Sequence, residues 1–122
     1  MTQPSFSSET FTPEALFAGD FPIVTKEVTI ASGQNLTKNS VLGKITASGK
    51  YILSLQAAVD GSEVADVILV DDTDASGGDK VASVYLTGDF REDKLVFGTG
   101  HSAATVEADL RLRSIFLHKP VN

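Results

Sequence analysis

Two stretches of this 122-residue chain carry the residue types and spacing of known ligand loops, and neither completes its pattern. Gly98-Thr-Gly100-His-Ser-Ala103 follows a strand-like segment and precedes a helix-like one, which fits the dinucleotide pattern G-x-G-x-x-G/A. In that pattern a helix N-terminus meets the pyrophosphate, and a second parallel strand brings an acid to the ribose about 20 residues on. Only 19 residues follow Ala103, and the last four, Lys119-Pro-Val-Asn122, contain no acid. The expected structure is a glycine-rich loop that turns a strand into a helix. Asp72-Thr-Asp74-Ala-Ser76-Gly77 begins like a calcium loop, which then needs a bidentate Glu at its twelfth position. That position is Ser83, so a solvated acidic hairpin from Asp71 to Lys80 is expected instead, with Gly77-Gly78 supplying positive φ.

Catalytic chemistry has few other carriers. The two histidines, His101 and His118, lie outside any H-E-x-x-H spacing, and no G-x-S-x-G elbow occurs. With no cysteine, neither a disulfide nor a thiolate metal site is available. No enzymatic activity, cofactor, metal or small-molecule substrate is expected. Asn35-Leu-Thr37 is a glycosylation sequon, but the start of the chain has no basic and apolar leader to send it through a secretory route.

The elements that must position these residues read as strands. Ile23 to Ile30 is β-branched and partly alternating. Ala31 to Asn35 turns, Leu36 to Ser40 is a polar loop, and Val41 to Ile45 is a short strand. Ala47-Ser-Gly49 turns into the strand Lys50–Leu55, and Asp60-Gly-Ser62 turns again. Val64 to Val70 is nearly continuous apolar, broken by Asp66. Lys80–Leu86 and Lys94–Phe97 complete the set, and turn signals every 8 to 15 residues suit an all-β sandwich or barrel. The last segment fits two periods. Val106, Ala108, Leu110 and Leu112 alternate as a strand does, while Val106/Leu110 and the acid-before-base pairs Glu107→Arg111 and Asp109→Arg113 have helical spacing. A helix from about Ser102 to Arg113 is expected, capped by Ser102, with Val106, Leu110 and Leu112 against the sheet. Ser114 to His118 then runs extended.

Composition bounds the partners. One domain with a modest core is the expectation for this length. The net charge is −6, and no Lys/Arg stripe forms, which argues against nucleic acid and anionic membrane as partners. No apolar run approaches the roughly 20 residues of a membrane-spanning helix. Residues 1–21 differ from the rest: rich in Ser and Thr, without a basic residue, and punctuated by Phe6, Phe11 and Phe17, with Pro4 and Pro13. Thr12-Pro13-Glu14-Ala15-Leu16-Phe17 suits one capped helical turn. Aromatic rings at this density are depleted in disordered tails. They serve either the domain's own core or another chain.

Three stretches, in this order and spacing, resemble the head decoration protein family of tailed phages, the lambda type. They are Ala31-Ser-Gly33-Gln-Asn-Leu36-Thr-Lys-Asn39-Ser-Val41-Leu-Gly43; Ala65 to Asp72 continuing through Asp74–Asp79 to Val84-Tyr-Leu-Thr-Gly88-Asp-Phe90; and Leu110-Arg-Leu-Arg-Ser-Ile115-Phe-Leu117. The family often has Gly where Asn39 stands, and Asn is the next-best residue for a left-handed turn. The resemblance implies a mainly β, small single domain (β-clip or β-tadpole-like) with one short C-terminal helix and an extended N-terminal arm. The arm spans 1–21 and the β-rich decoration domain 22–122. It further implies a homotrimer on the outer surface of a phage head at local three-fold sites, bound to the major capsid protein through the arm. Pro4, Phe6, Phe11 and Phe17 are the candidate contact residues, and the protein would be made in the host cytoplasm. Two other readings compete: a β-clip-type ligand-binding module, and a structural protein of the tail or baseplate.

Overall fold

The computed structural model describes residues 22–119, so Pro4, Phe6, Phe11 and Phe17 lie outside the described residues. Eight strands and one helix follow in chain order: β1 Val24–Ile30, β2 Asn35–Leu36, β3 Val41–Lys44, β4 Tyr51–Leu53, β5 Ala65–Leu69, β6 Thr73–Asp74, β7 Lys80–Arg91, α1 Ala103–Arg111 and β8 Ile115–His118. The domain is mainly β, with the short C-terminal helix that the sequence leads one to expect. β1, β4, β3, β5 and β7 pair in that order, and β1 also pairs with β7, so the five close into a barrel. The narrowest seam is β1 to β4, one parallel pair, Ile30↔Tyr51, reinforced by Ala31 N–H donating to the Tyr51 carbonyl at 3.0 Å. Closure matters physically because it removes sheet edges that would otherwise offer unpaired backbone groups.

Alternation builds the barrel interior. Ile30, Leu42, Val67, Leu69 and Val84 are buried there, and Leu36, within the small β2–β6 ladder, and Ala75, just after it, belong to the same cluster. β5 reads as a continuous apolar run because it is covered on both faces: Val67 and Leu69 join this cluster, while Ala65 and Ile68 join a second one. The second cluster places Val106 and Leu110 of α1 against Ala65, Ile68, Phe90, Ile115 and Leu117. Gly43 in β3 is a packing glycine. A Cβ there would collide with the backbone carbonyl of Ser62, so the chain approaches closer than any side chain allows.

Several expectations need correction. Leu112 is 84% exposed, not packed on the sheet. The helix ends at Arg111, and at 100° per residue a stripe through Val106 and Leu110 carries Leu112 to the far side. Lys94–Phe97 is not a strand: a 3-10 turn, Glu92–Lys94, precedes a single bridge between Ser40 and Val96. β7 runs on to Arg91 rather than stopping near Leu86, because its last four residues pair with β8. Asn35 and Leu36 pair with β6 instead of opening a polar loop. Arg113 does not bridge to the Asp109 carboxylate; its Nη1 donates to the Asp109 carbonyl and its Nε pairs with Asp66. Glu107 and Arg111 do approach, at 3.9 Å.

Candidate docking surface

The dinucleotide-like loop acquires the partner strand it was expected to lack. β8 runs parallel to β7, with Gly88↔Ile115 through Arg91↔His118, and α1 supplies the crossover that a parallel pair requires. The loop nevertheless is not shaped as a phosphate cradle. β7 ends at Arg91, seven residues before Gly98, and Gly98 is buried with its would-be Cβ on the Ser54 carbonyl. This glycine lets two loops touch; Gln56 N–H also donates to the Thr99 carbonyl at 3.2 Å. His101 occupies the approach to the helix. Its Nε2 lies 2.9 Å from the Glu63 carbonyl and its Nδ1 2.9 Å from the Thr105 hydroxyl, which in turn receives the N–H of the N-cap residue Ser102 at 2.8 Å. The strand that follows ends in His118, and Lys119 comes next rather than an acid.

The acidic hairpin satisfies Asp74 within itself and Asp72 and Asp79 against neighbouring segments. Asp74 accepts from the hydroxyl and N–H of Ser76, and these bonds hold its pKa below 3.8. Asp79 is lowered by Lys50, whose Nζ is 2.6 Å away, and by the Ser32 N–H. Asp72 accepts from the Lys38 N–H. Of the two glycines expected to supply positive φ, Gly78 does so and Gly77 does not. Among the described residues no group of three or more His, Cys, Asp and Glu converges to hold a metal ion, and no helix is long and apolar enough to cross a membrane.

Exposed apolar side chains are spread over the domain, among them Val59, Val81 and Leu112, and two lie where the chain enters the barrel. Ile23 and Val24 are about half exposed. The Thr87 hydroxyl pins this entry, donating to the Pro22 carbonyl at 2.7 Å and accepting from the Val24 N–H at 3.1 Å. The Ile23 side chain lies against Gly88, whose N–H donates to the Ser114 carbonyl at 3.1 Å. Next to Ser114, Arg113 opens onto a recess of about 360 Å³ lined by Lys44, Thr46, Gly61, Val64, Asp66 and Arg113. Asp66 accepts from Arg113 Nε and, at 3.3 Å, from the Tyr51 hydroxyl. Burial raises the Tyr51 phenol above 10.0, the Asp66 charge and hydrogen bond add to it, and Arg113 opposes. Sequence reasoning missed this recess. Its one signal was Asp66, a carboxylate interrupting a buried apolar strand, which needs a partner to be there.

The fold is a closed β-barrel whose loop carboxylates are largely bonded within the protein, with no converging group of metal-ligating residues among the described ones. The family model for bacteriophage lambda head decoration protein D matches residues 6–114, and this chain belongs to that family. It is a structural decoration protein of the phage head, associated with the capsid at the virion surface. No curated protein matches the chain.

Proposed function

We propose that this protein cements a phage capsid as a homotrimer, seated at local three-fold sites and held to the major capsid protein by residues 1–21. The match over residues 6–114 carries this reading, because it extends the family likeness from the barrel into the Phe-bearing segment. In this reading Pro4, Phe6, Phe11 and Phe17 contact the shell, partly by adding a short strand to it. One such contact is weak. Three on a rigid trimer raise the effective concentration of the second and third, and avidity gains on the order of 10²–10⁴. The role is mechanical and requires no catalysis, and the trimer is assembled on heads in the host cytoplasm. Exposed Ile23 and Val24 support the same direction, since they leave apolar side chains open to a partner immediately after that segment in the sequence.

A single truncated chain tests the proposal. Deleting Met1 to Asp20 leaves every strand of the barrel intact and removes three of the seven Phe residues. The expected result is a folded domain with an unchanged melting temperature that no longer binds purified expanded heads. An early-melting domain that still decorates heads at full affinity would assign the Phe rings to the protein's own core and end the arm reading. Light scattering on the full chain checks the trimer, and a stable dimer, both free and on heads, overturns it.

A further inference from the structure

We propose that Asp60–Gly61 is a latent site of backbone isomerisation, held shut by hydrogen bonds from Ser62 and to Glu63. The inference is separate from the docking role and stands without it. An Asp-Gly pair is the aspartyl dipeptide most open to this reaction, because glycine has no Cβ to hinder the approach of its own nitrogen to the aspartyl side chain. Asp60–Gly61 is the one Asp-Gly pair in the 122 residues, and no Asn-Gly occurs. In the reaction the Gly61 nitrogen attacks Cγ of protonated Asp60. A C–N bond forms, and the carboxyl hydroxyl leaves as water with the proton from nitrogen. Water then opens the resulting five-membered imide at the Asp60 α-carbonyl. That step breaks the original peptide bond, returns a proton to nitrogen and leaves the chain running through the side chain, with a free α-carboxylate. The mass is unchanged, and no other reactant is needed.

The fold requires the vulnerable glycine. Gly61 holds φ +102, and a Cβ there would lie 2.1 Å from Thr46 Oγ1 and 3.1 Å from the Lys44 carbonyl oxygen. A bulkier residue that would slow the attack does not fit, so protection falls to the neighbours. Ser62 is fully buried, and its N–H and hydroxyl both donate to Asp60 Oδ1, at 3.0 and 2.5 Å. These bonds favour the ionised carboxylate, which is a poor electrophile, and they hold the Asp60 pKa below 3.8. The peptide unit between the two residues is pinned at both ends. The Asp60 carbonyl accepts from the Thr46 N–H at 2.9 Å, and the Gly61 N–H donates to Glu63 Oε1 at 2.9 Å. Attack needs the carboxyl carbon and the Gly61 nitrogen turned onto each other, and these bonds oppose that motion. Ser62 also shows what is protected. Its carbonyl accepts the Ser54 hydroxyl at 2.7 Å and fills the space that Gly43 leaves in β3. A β-linkage adds a carbon to the main chain directly before Gly61 and turns the Asp60 carbonyl that receives Thr46 into a carboxylate. Both changes fall on the loop that seats Ser62 against β3.

The test uses the full chain, Ser62→Ala and Glu63→Ala. Each is held at neutral pH, once folded at a temperature well below melting and once unfolded in urea. Isoaspartate at position 60 is followed by peptide mapping, which separates it at unchanged mass. The folded native chain should isomerise more slowly than the unfolded one by roughly tenfold or more, the rate equivalent of one hydrogen bond to a charged group. Folded Ser62→Ala should recover several-fold of that rate and Glu63→Ala a smaller part, with the unfolded rates of all three alike. Urea added below the unfolding transition should leave the folded rates unchanged, because the bonds open locally. Equal folded and unfolded rates in the native chain overturn the proposal. So does a folded Ser62→Ala that isomerises no faster than the native chain; if that variant does not fold, Glu63→Ala decides by the same criterion. Folded rates that climb with urea in step with global stability assign the protection to the fold as a whole and overturn the local restraint.

Discussion

Leu110 and Leu112 stand two residues apart and should differ by nearly the whole value of a buried leucine. Leu110 is fully buried among Val41, Ile68, Phe90, Val106 and Ile115. Leu110→Ala removes three carbons, worth about 2.4 kcal/mol at ~0.8 kcal/mol per carbon transferred. The cavity left in a cluster braced by β5, β7 and β8 raises the cost to about 3–5 kcal/mol. For a domain of this size that corresponds to a fall of roughly 12–25 °C in melting temperature at the lower end of that cost. Leu112, 84% exposed, has almost no apolar burial to lose, and Leu112→Ala should stay within about 0.5 kcal/mol of the parent. Urea unfolding of the three proteins, with equal m-values as the check on two-state behaviour, measures both costs on one scale. Equal costs for the two substitutions would mean that the segment alternates as a strand and would refute the helical assignment.

Four further outcomes follow from backbone and charge. Ser114 holds φ +63 between α1 and β8, and Ser114→Gly should stabilise by about 0.5–1 kcal/mol in the same unfolding assay, whereas Asn39→Ala, at φ +71, should destabilise by about 1 kcal/mol. Gly43→Ala drives a methyl into the Ser62 carbonyl and should cost roughly 3 kcal/mol or more, seen as loss of folded protein on expression or a large drop in melting temperature. Asp60, Asp74 and Asp79 have folded pKa values below 3.8 because Ser62, Ser76 and Lys50 hydrogen-bond their ionised forms. Their contribution is present above the unfolded value and lost as pH falls through the folded ones, so melting temperature should drop below about pH 4, and a flat profile there would contradict these hydrogen bonds. Tyr51 acts at the other end: its pKa is raised, so its contribution is complete below pH 10.0 and is lost as pH rises through the folded value, read as late appearance of tyrosinate absorbance.

The family likeness was legible in the sequence because its markers are turns. Gly33, Asn39 and Gly78 sit at positive φ, and such positions restrict residue type whatever surrounds them. Strand existence was legible for β1, β3, β4 and β5, where β-branched and apolar runs are bounded by turn residues. The buried helical stripe through Val106 and Leu110 was legible from i, i+4 spacing, while the fate of Leu112 was not, because strand and helix periods agree over the first members of so short a run.

Tertiary structure alone decided the rest. Whether β1 would close on β7, and whether β8 would lie parallel to it, depends on pairings such as Val24↔Thr87 and Gly88↔Ile115, between residues too distant in the chain for a local pattern to encode. Lys94–Phe97 has the composition of a strand, yet Leu95 is buried against the helix cluster and the backbone around Val96 makes only one bridge. Asp66 and Arg113 each had a nearer expectation, a broken apolar strand for one and an i, i+4 partner for the other. They meet across 47 residues because a carboxylate on a covered strand must find a cation, and the helix end is the cation that folding brings to it.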